Sequence, residues 1–153
     1  MKIRGKTVYV YDIEVFPNVF HCTLLNTETE ELIKYECSER KNNIEEMCNL
    51  FLTENAYFAG YNNIHYDNPI VNYMIDYYEK LIVHPYWRIC SSIYNFSKVI
   101  VNSKEGEEGL WKEWKYQQWF ESFDILTMLY STQLRVGLKE MQVTMQYPNV
   151  QEF

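Results

Sequence analysis

Residues 7–15 read TVYVYDIEV, a run of β-branched and aromatic residues that predicts a buried strand. Within it, Asp12 and Glu14 are two positions apart, and on a strand residues at that spacing point to the same face. Two carboxylates set among Val10, Tyr11, Ile13 and Val15 repel one another and resist desolvation. A divalent cation relieves both costs, and oxygen ligands suit magnesium or manganese. The plainer alternative is an edge strand whose acidic face lies in water, where most acidic residues are found.

Outward from this strand, Pro17-Asn18 is a turn signal, residues 19–25 predict a second strand, NTETE at 26–30 a polar turn, and residues 31–37 a third strand. This is an antiparallel meander. Asn42 or Asn43 can cap the next helix, with Glu45 and Glu46 in its first turn and Ile44, Met47, Cys48, Phe51 and Leu52 on one face. AYFAGY at 56–61 predicts a fourth, buried strand. Asp67 then stands where a helix cap belongs, with Pro69 in the first turn and Ile70, Tyr73, Met74 and Tyr77 as its apolar stripe. Ile89, Ile93, Phe96 and Ile100 predict another helix, KEGEEG at 104–109 an exposed loop, residues 116–125 a fifth strand, and GLKEMQVTM at 137–145 a last helix. The order predicts an α/β domain, a mixed sheet flanked by helices.

The 153 residues suffice for one domain with a sizeable core. No run of 18 apolar residues predicts a membrane span, and the first residues, MKIRGKTVYVYD, do not read as a signal peptide. Cys22, Cys37, Cys48 and Cys90 form no CxxC pair, so reduced thiols in a cytoplasmic protein are expected. A formal charge of -7 excludes a general nucleic-acid coat, but not an enzyme in which bound metal supplies the local positive charge. His21, His65 and His84 lack zinc spacing and read as surface or core residues, with substrate contact open only to His65. Trp111, Trp114 and Trp119 can stack on bases, although core or sheet cover is the expected use.

A second motif follows the fourth strand: GYNNIHYD at 60–67, an asparagine-rich turn and then an aspartate at a helix start. Function concentrates at such strand ends in open α/β sheets. Here too a plainer use exists, with Asp67 only capping its helix and Asn62 and Asn63 only filling the turn. Taken together, the two motifs resemble the DEDD-type 3′–5′ exonucleases, and most nearly the proofreading domain of phage-like family-B DNA polymerases. The first motif of that family, Asp-x-Glu, is matched by Asp12 and Glu14. Its second, Asn, two or three residues, aromatic, Asp, is matched by Asn63, Tyr66 and Asp67. YDIEVFPN at 11–18, SFDIL at 122–126 and GLKEM at 137–141 add to the likeness, which spans nearly the whole chain.

The resemblance implies a ribonuclease-H-like fold, a single domain over residues 1–153, and two magnesium or manganese ions that clamp the scissile phosphate. Asp12 is then the bridging ligand, Glu14 the ligand of the nucleophile-side ion, and Asp67 a ligand of the other through water. Val15, Asn63, Tyr66, Ile125 and Leu126 are implied contacts to a single-stranded DNA 3′ end, and the rest of a polymerase chain is an implied partner in the cytoplasm of a bacterium or phage-infected host. The family's third motif, Tyr-x-x-x-Asp on a later helix, does not occur before Phe153. The domain is therefore expected to be incomplete at its C-terminus and to cut slowly or not at all. Asp124, in Phe120-Glu-Ser-Phe-Asp124, precedes the 137–145 helix and reads as a structural aspartate. Two other readings stay open: a catalytically incomplete module of the same fold that binds single-stranded nucleic acid or a replication protein, and an acidic interaction protein that mimics nucleic acid.

Overall fold

A computed structural model describes residues 1–103 and 118–129. The strands are β1 (Lys2–Ile3), β2 (Lys6–Val15), β3 (Phe20–Asn26), β4 (Leu32–Cys37), β5 (Ala56–Gly60) and β6 (Ser122–Asp124). The helices are α1 (Ile44–Phe51), α2 (Asp67–Asp76), α3 (Tyr78–Leu81), α4 (Tyr86–Asn102) and α5 (Ile125–Leu129). The sheet runs β4-β3-β2-β5-β6, with β1 paired on β2. β2, β3 and β4 pair antiparallel, as the short polar connections between them require. β5 and β6 lie parallel to β2 and to one another. The fold is α/β, a mixed open sheet flanked by helices. The expected 104–109 loop, 137–145 helix, Trp111 and Trp114 lie outside the described residues.

Period-two alternation sorts β2 into two faces. Tyr11 and Ile13 are buried, with Tyr9 and Val15 packed beside them, against Phe20, Cys22, Leu24 and Phe58 of the neighbouring strands. Ile44, Met47 and Phe51 of α1, Ile70 and Met74 of α2, and Ile89, Ile93 and Ile100 of α4 close over this face. Its centre is aromatic, with Phe51 stacked on Phe58 at 4.2 Å and Phe120 edge-on to Phe51 at 4.8 Å. Leu52 departs from its expected place: it ends α1 and is exposed. Tyr77, expected in the stripe of α2, is exposed where α2 ends, and Phe96 stacks on Tyr73 at 4.4 Å at the rim of the core. On the opposite face of β2, Val10, Asp12 and Glu14 are exposed. Among the described residues no helix is long and apolar enough to cross a membrane.

Candidate functional site

β5 pairs with β2 only from Thr7↔Ala56 to Val10↔Ala59, so beyond residue 10 the β5-facing edge of β2 is open. The chain leaves β5 at Gly60, passes through Asn62 in the left-handed region (φ 58) and a 3-10 turn (Asn63–His65), and enters α2. Asp67 is the first residue of that helix, not its cap. Tyr66 precedes it, and the helix has no side-chain cap hydrogen bond. Instead the Asp67 carboxylate reaches the open edge of β2, where Oδ1 accepts a hydrogen bond from the Ile13 backbone amide at 3.3 Å. That amide lies between Asp12 and Glu14 in the chain. The two sequence motifs, more than fifty residues apart, thus meet at one point.

The electrostatics of the meeting are unbalanced. Burial pushes the Asp67 carboxyl up to about 7; the charge of Asp12 and, less, of Asp124 adds to this, and the Ile13 amide partly offsets it. Asp12 is raised as well, by partial burial first and by Glu14 second, against the Ile13 backbone. Among the described residues none of the three carboxylates has a salt bridge to a cationic side chain. Glu36 of β4 shows the contrast. Arg40 holds it through Nε to Oε1 at 2.7 Å and Nη2 to Oε2 at 3.0 Å, and with Ser38 lowers its carboxyl to about 2. The donor set of Asp12, Glu14 and Asp67 is therefore all oxygen and anionic, with no cationic side chain paired to it among the described residues, which suits a hard divalent ion. Among the described residues no three acidic, histidine or cysteine side chains converge into a ready metal cage.

Asp124, at the end of β6, serves the turn. Its Oδ1 accepts from the amides of Asn62 at 2.8 Å and Leu126 at 2.9 Å, and its Oδ2 from the amide of Ile64 at 3.3 Å. Both oxygens are thereby committed to backbone, in keeping with its structural reading. Gly60 is required by close approach: a Cβ there would lie 2.7 Å from Asn63 Cβ and 2.8 Å from its Cγ.

The expected substrate contacts are placed unevenly. Val15 ends β2 on the core face, partly buried. Ile125 and Leu126 open α5, both partly buried. Tyr66 is half-buried against the core, with its hydroxyl hydrogen-bonded to Ser97 of α4. Asn63 is fully buried; its Nδ2 donates to Asn68 Oδ1 at 3.1 Å, and its Oδ1 has no partner among the described residues. Asn68, which the sequence reading passed over, is the hub beneath the site. Its Oδ1 also accepts from the Tyr11 hydroxyl, and its Nδ2 donates to Ser122 Oγ at 2.8 Å. Asn63, Asn68 and Asn72 recur five and four residues apart, a spacing that does not by itself tell a buried hub from turn-filling. Trp119 packs away from the site, 56% exposed, with Nε1 donating to Asp76 Oδ1 at 2.7 Å. No family model, no curated protein and no solved structure matches the chain.

Proposed function

We propose that this chain is a ribonuclease-H-like, metal-dependent 3′–5′ exonuclease domain acting on single-stranded or frayed DNA ends, in the manner of the proofreading domains it resembles. The observation that carries the reading is the Asp67 carboxylate on the Ile13 amide, beside the strand segment that holds Asp12 and Glu14. A helix cap would have spent Asp67 on its own turn, and an idle acidic edge would have left Asp12 and Glu14 without it. The central first strand, the antiparallel meander and the two parallel strands beyond it also agree with the fold this reading requires.

Asp12, Glu14 and Asp67 would hold the magnesium or manganese ions, which when bound supply positive charge to the scissile phosphate and acidify the attacking water. The protein's own part is positioning. Asp124 clamps the turn, Asn68 ties the turn to β2 and β6, and Ser97 fixes Tyr66. Burial keeps the Asp67 carboxyl poorly solvated and holds its pKa up at about 7, so a cation that binds there would displace a proton and relieve the unsolvated charge. The exposed faces of Asp12 and Glu14 admit the strand end, and with little base-edge readout in such a site sequence preference should be weak.

The test is a time course on a 5′-labelled single strand in manganese. Slow shortening from the 3′ end, absent with Asp12→Ala, is the expected result. Cleavage that persists in Asp12→Ala, or cuts that begin inside the strand, would overturn the reading.

A further inference from the structure

The strand register maps the face of the sheet that carries Asp12 and Glu14. Asp12 of β2 pairs with Thr23 of β3, and Thr23 with Lys34 of β4. Towards the end of β2, Glu14 pairs with His21, and His21 with Glu36. In the other direction Val10 pairs with Leu25, and Leu25 with Leu32. Side chains of directly paired residues stand on one face as neighbours. The intervening residues of β4, Ile33 and Tyr35, pack on the opposite face against the core that α1, α2 and α4 close.

Each of these rows has its own chemistry. The Glu14 row ends in a completed network, in which Arg40 and Ser38 hold Glu36 and His21 Nε2 lies 3.8 Å from Glu36 Oε2. The Val10 row is an apolar strip in which Val10, Leu25 and Leu32 are all exposed. The Asp12 row, between them, ends in a cation. Lys34 is exposed and has no salt bridge among the described residues, unlike Arg40, which is spent on Glu36. With strands about 4.8 Å apart, Lys34 stands roughly 10 Å from Asp12, backbone to backbone. Its flexible four-carbon stem narrows that gap. Past the apolar strip, the β3–β4 turn carries Glu28, Glu30 and Glu31, which repel a phosphate and end the track.

We propose that this face is a second nucleotide subsite for single-stranded DNA. Lys34 and Thr23 take the phosphate that precedes the scissile one, and Val10, Leu25 and Leu32 take the adjoining sugar and base. The proposal rests on the exonuclease reading and deepens it, because Lys34 supplies the strand with a positive charge that the carboxylates deny it. A single strand presents apolar base faces beside an anionic backbone, and the two rows present an apolar strip beside a cation. A second copy of the chain would use the strip and have no need of Lys34 in the row of Asp12.

The test is fluorescence anisotropy of a short 5′-labelled oligothymidylate across a salt series. Calcium is present, as a hard cation for the same oxygen ligands. Lys34→Gln should weaken binding about fivefold and reduce the slope of log affinity against log salt by about 0.7, the share of one single-strand phosphate contact. Leu25→Ser should weaken binding about threefold and leave the slope unchanged. Lys98→Gln, whose lysine lies over Tyr94 on α4, should change neither. Wild-type affinity and slope in Lys34→Gln, an equal loss in Lys98→Gln, or no saturable binding to the wild type would overturn the subsite. So would a wild-type dimer in sedimentation that Leu32→Asp splits with strand binding intact. Failure of the exonuclease reading shows differently, as cutting that survives Asp12→Ala.

Discussion

Asp67, at the start of the helix that follows β5, and Asp124, at the end of the neighbouring parallel strand β6, are both buried aspartates, and they are held in opposite ways. Asp124 is 1% exposed, and three backbone amides take both of its oxygens. Asp67 is 7% exposed, accepts one long hydrogen bond from β2, and shares its surroundings with Asp12. The difference teaches that burial of a carboxylate does not by itself mark a site. What marks it is a charge whose partners do not complete it, so that a ligand from outside can.

The comparison breaks most visibly at Asp124. Asp124→Ala strands three backbone amides and lets go of the turn that carries Asn63, and should cost about 3–5 kcal/mol in urea unfolding. A loss under about 1 kcal/mol would show that the turn holds itself.

At Asp67 the sign reverses. A folded-state value of about 7 against an ordinary 3.8 means that the metal-free protein is favoured while both states are protonated, and loses that advantage as pH rises from about 4 to 7. The full shift corresponds to at most about 4 kcal/mol. Asp67→Asn should flatten this limb of the stability–pH curve and be the more stable protein at pH 8 without metal. A wild-type curve that stays level through that window would contradict the unbalanced charge.

Gly60 sharpens the comparison more gently: it pairs with Asp124 across β5 and β6, but the space its missing Cβ leaves is taken by Asn63 of the turn. Gly60→Ala drives a Cβ into Asn63 and should cost about 1–3 kcal/mol. An unchanged melting temperature would show that the turn gives way freely.

Much of this arrangement was legible in the sequence because its signals are local. The period-two pattern of residues 7–15 placed Asp12 and Glu14 on one face, and the helical stripes of α1 and α4 located the core, with Leu52 the exception at a helix end. What could not be read is non-local. That β5 stops pairing at Ala59, leaving the Ile13 amide for Asp67, depends on register between strands some fifty residues apart. The Asn68 hub was hidden because a buried asparagine and a surface asparagine look alike until their partners are known. Asp67 was expected at the cap position, and the shift by one position into the helix is what frees its side chain.

The central claim is that Asp12, Glu14 and Asp67 form one divalent-cation site. Titration calorimetry with manganese on the wild-type chain, Asp12→Ala and Asp67→Asn tests it most directly. Saturable binding to the wild type, weakened on the order of tenfold or more in each variant, is the expected result. Superimposable isotherms for the wild type and Asp12→Ala would contradict it.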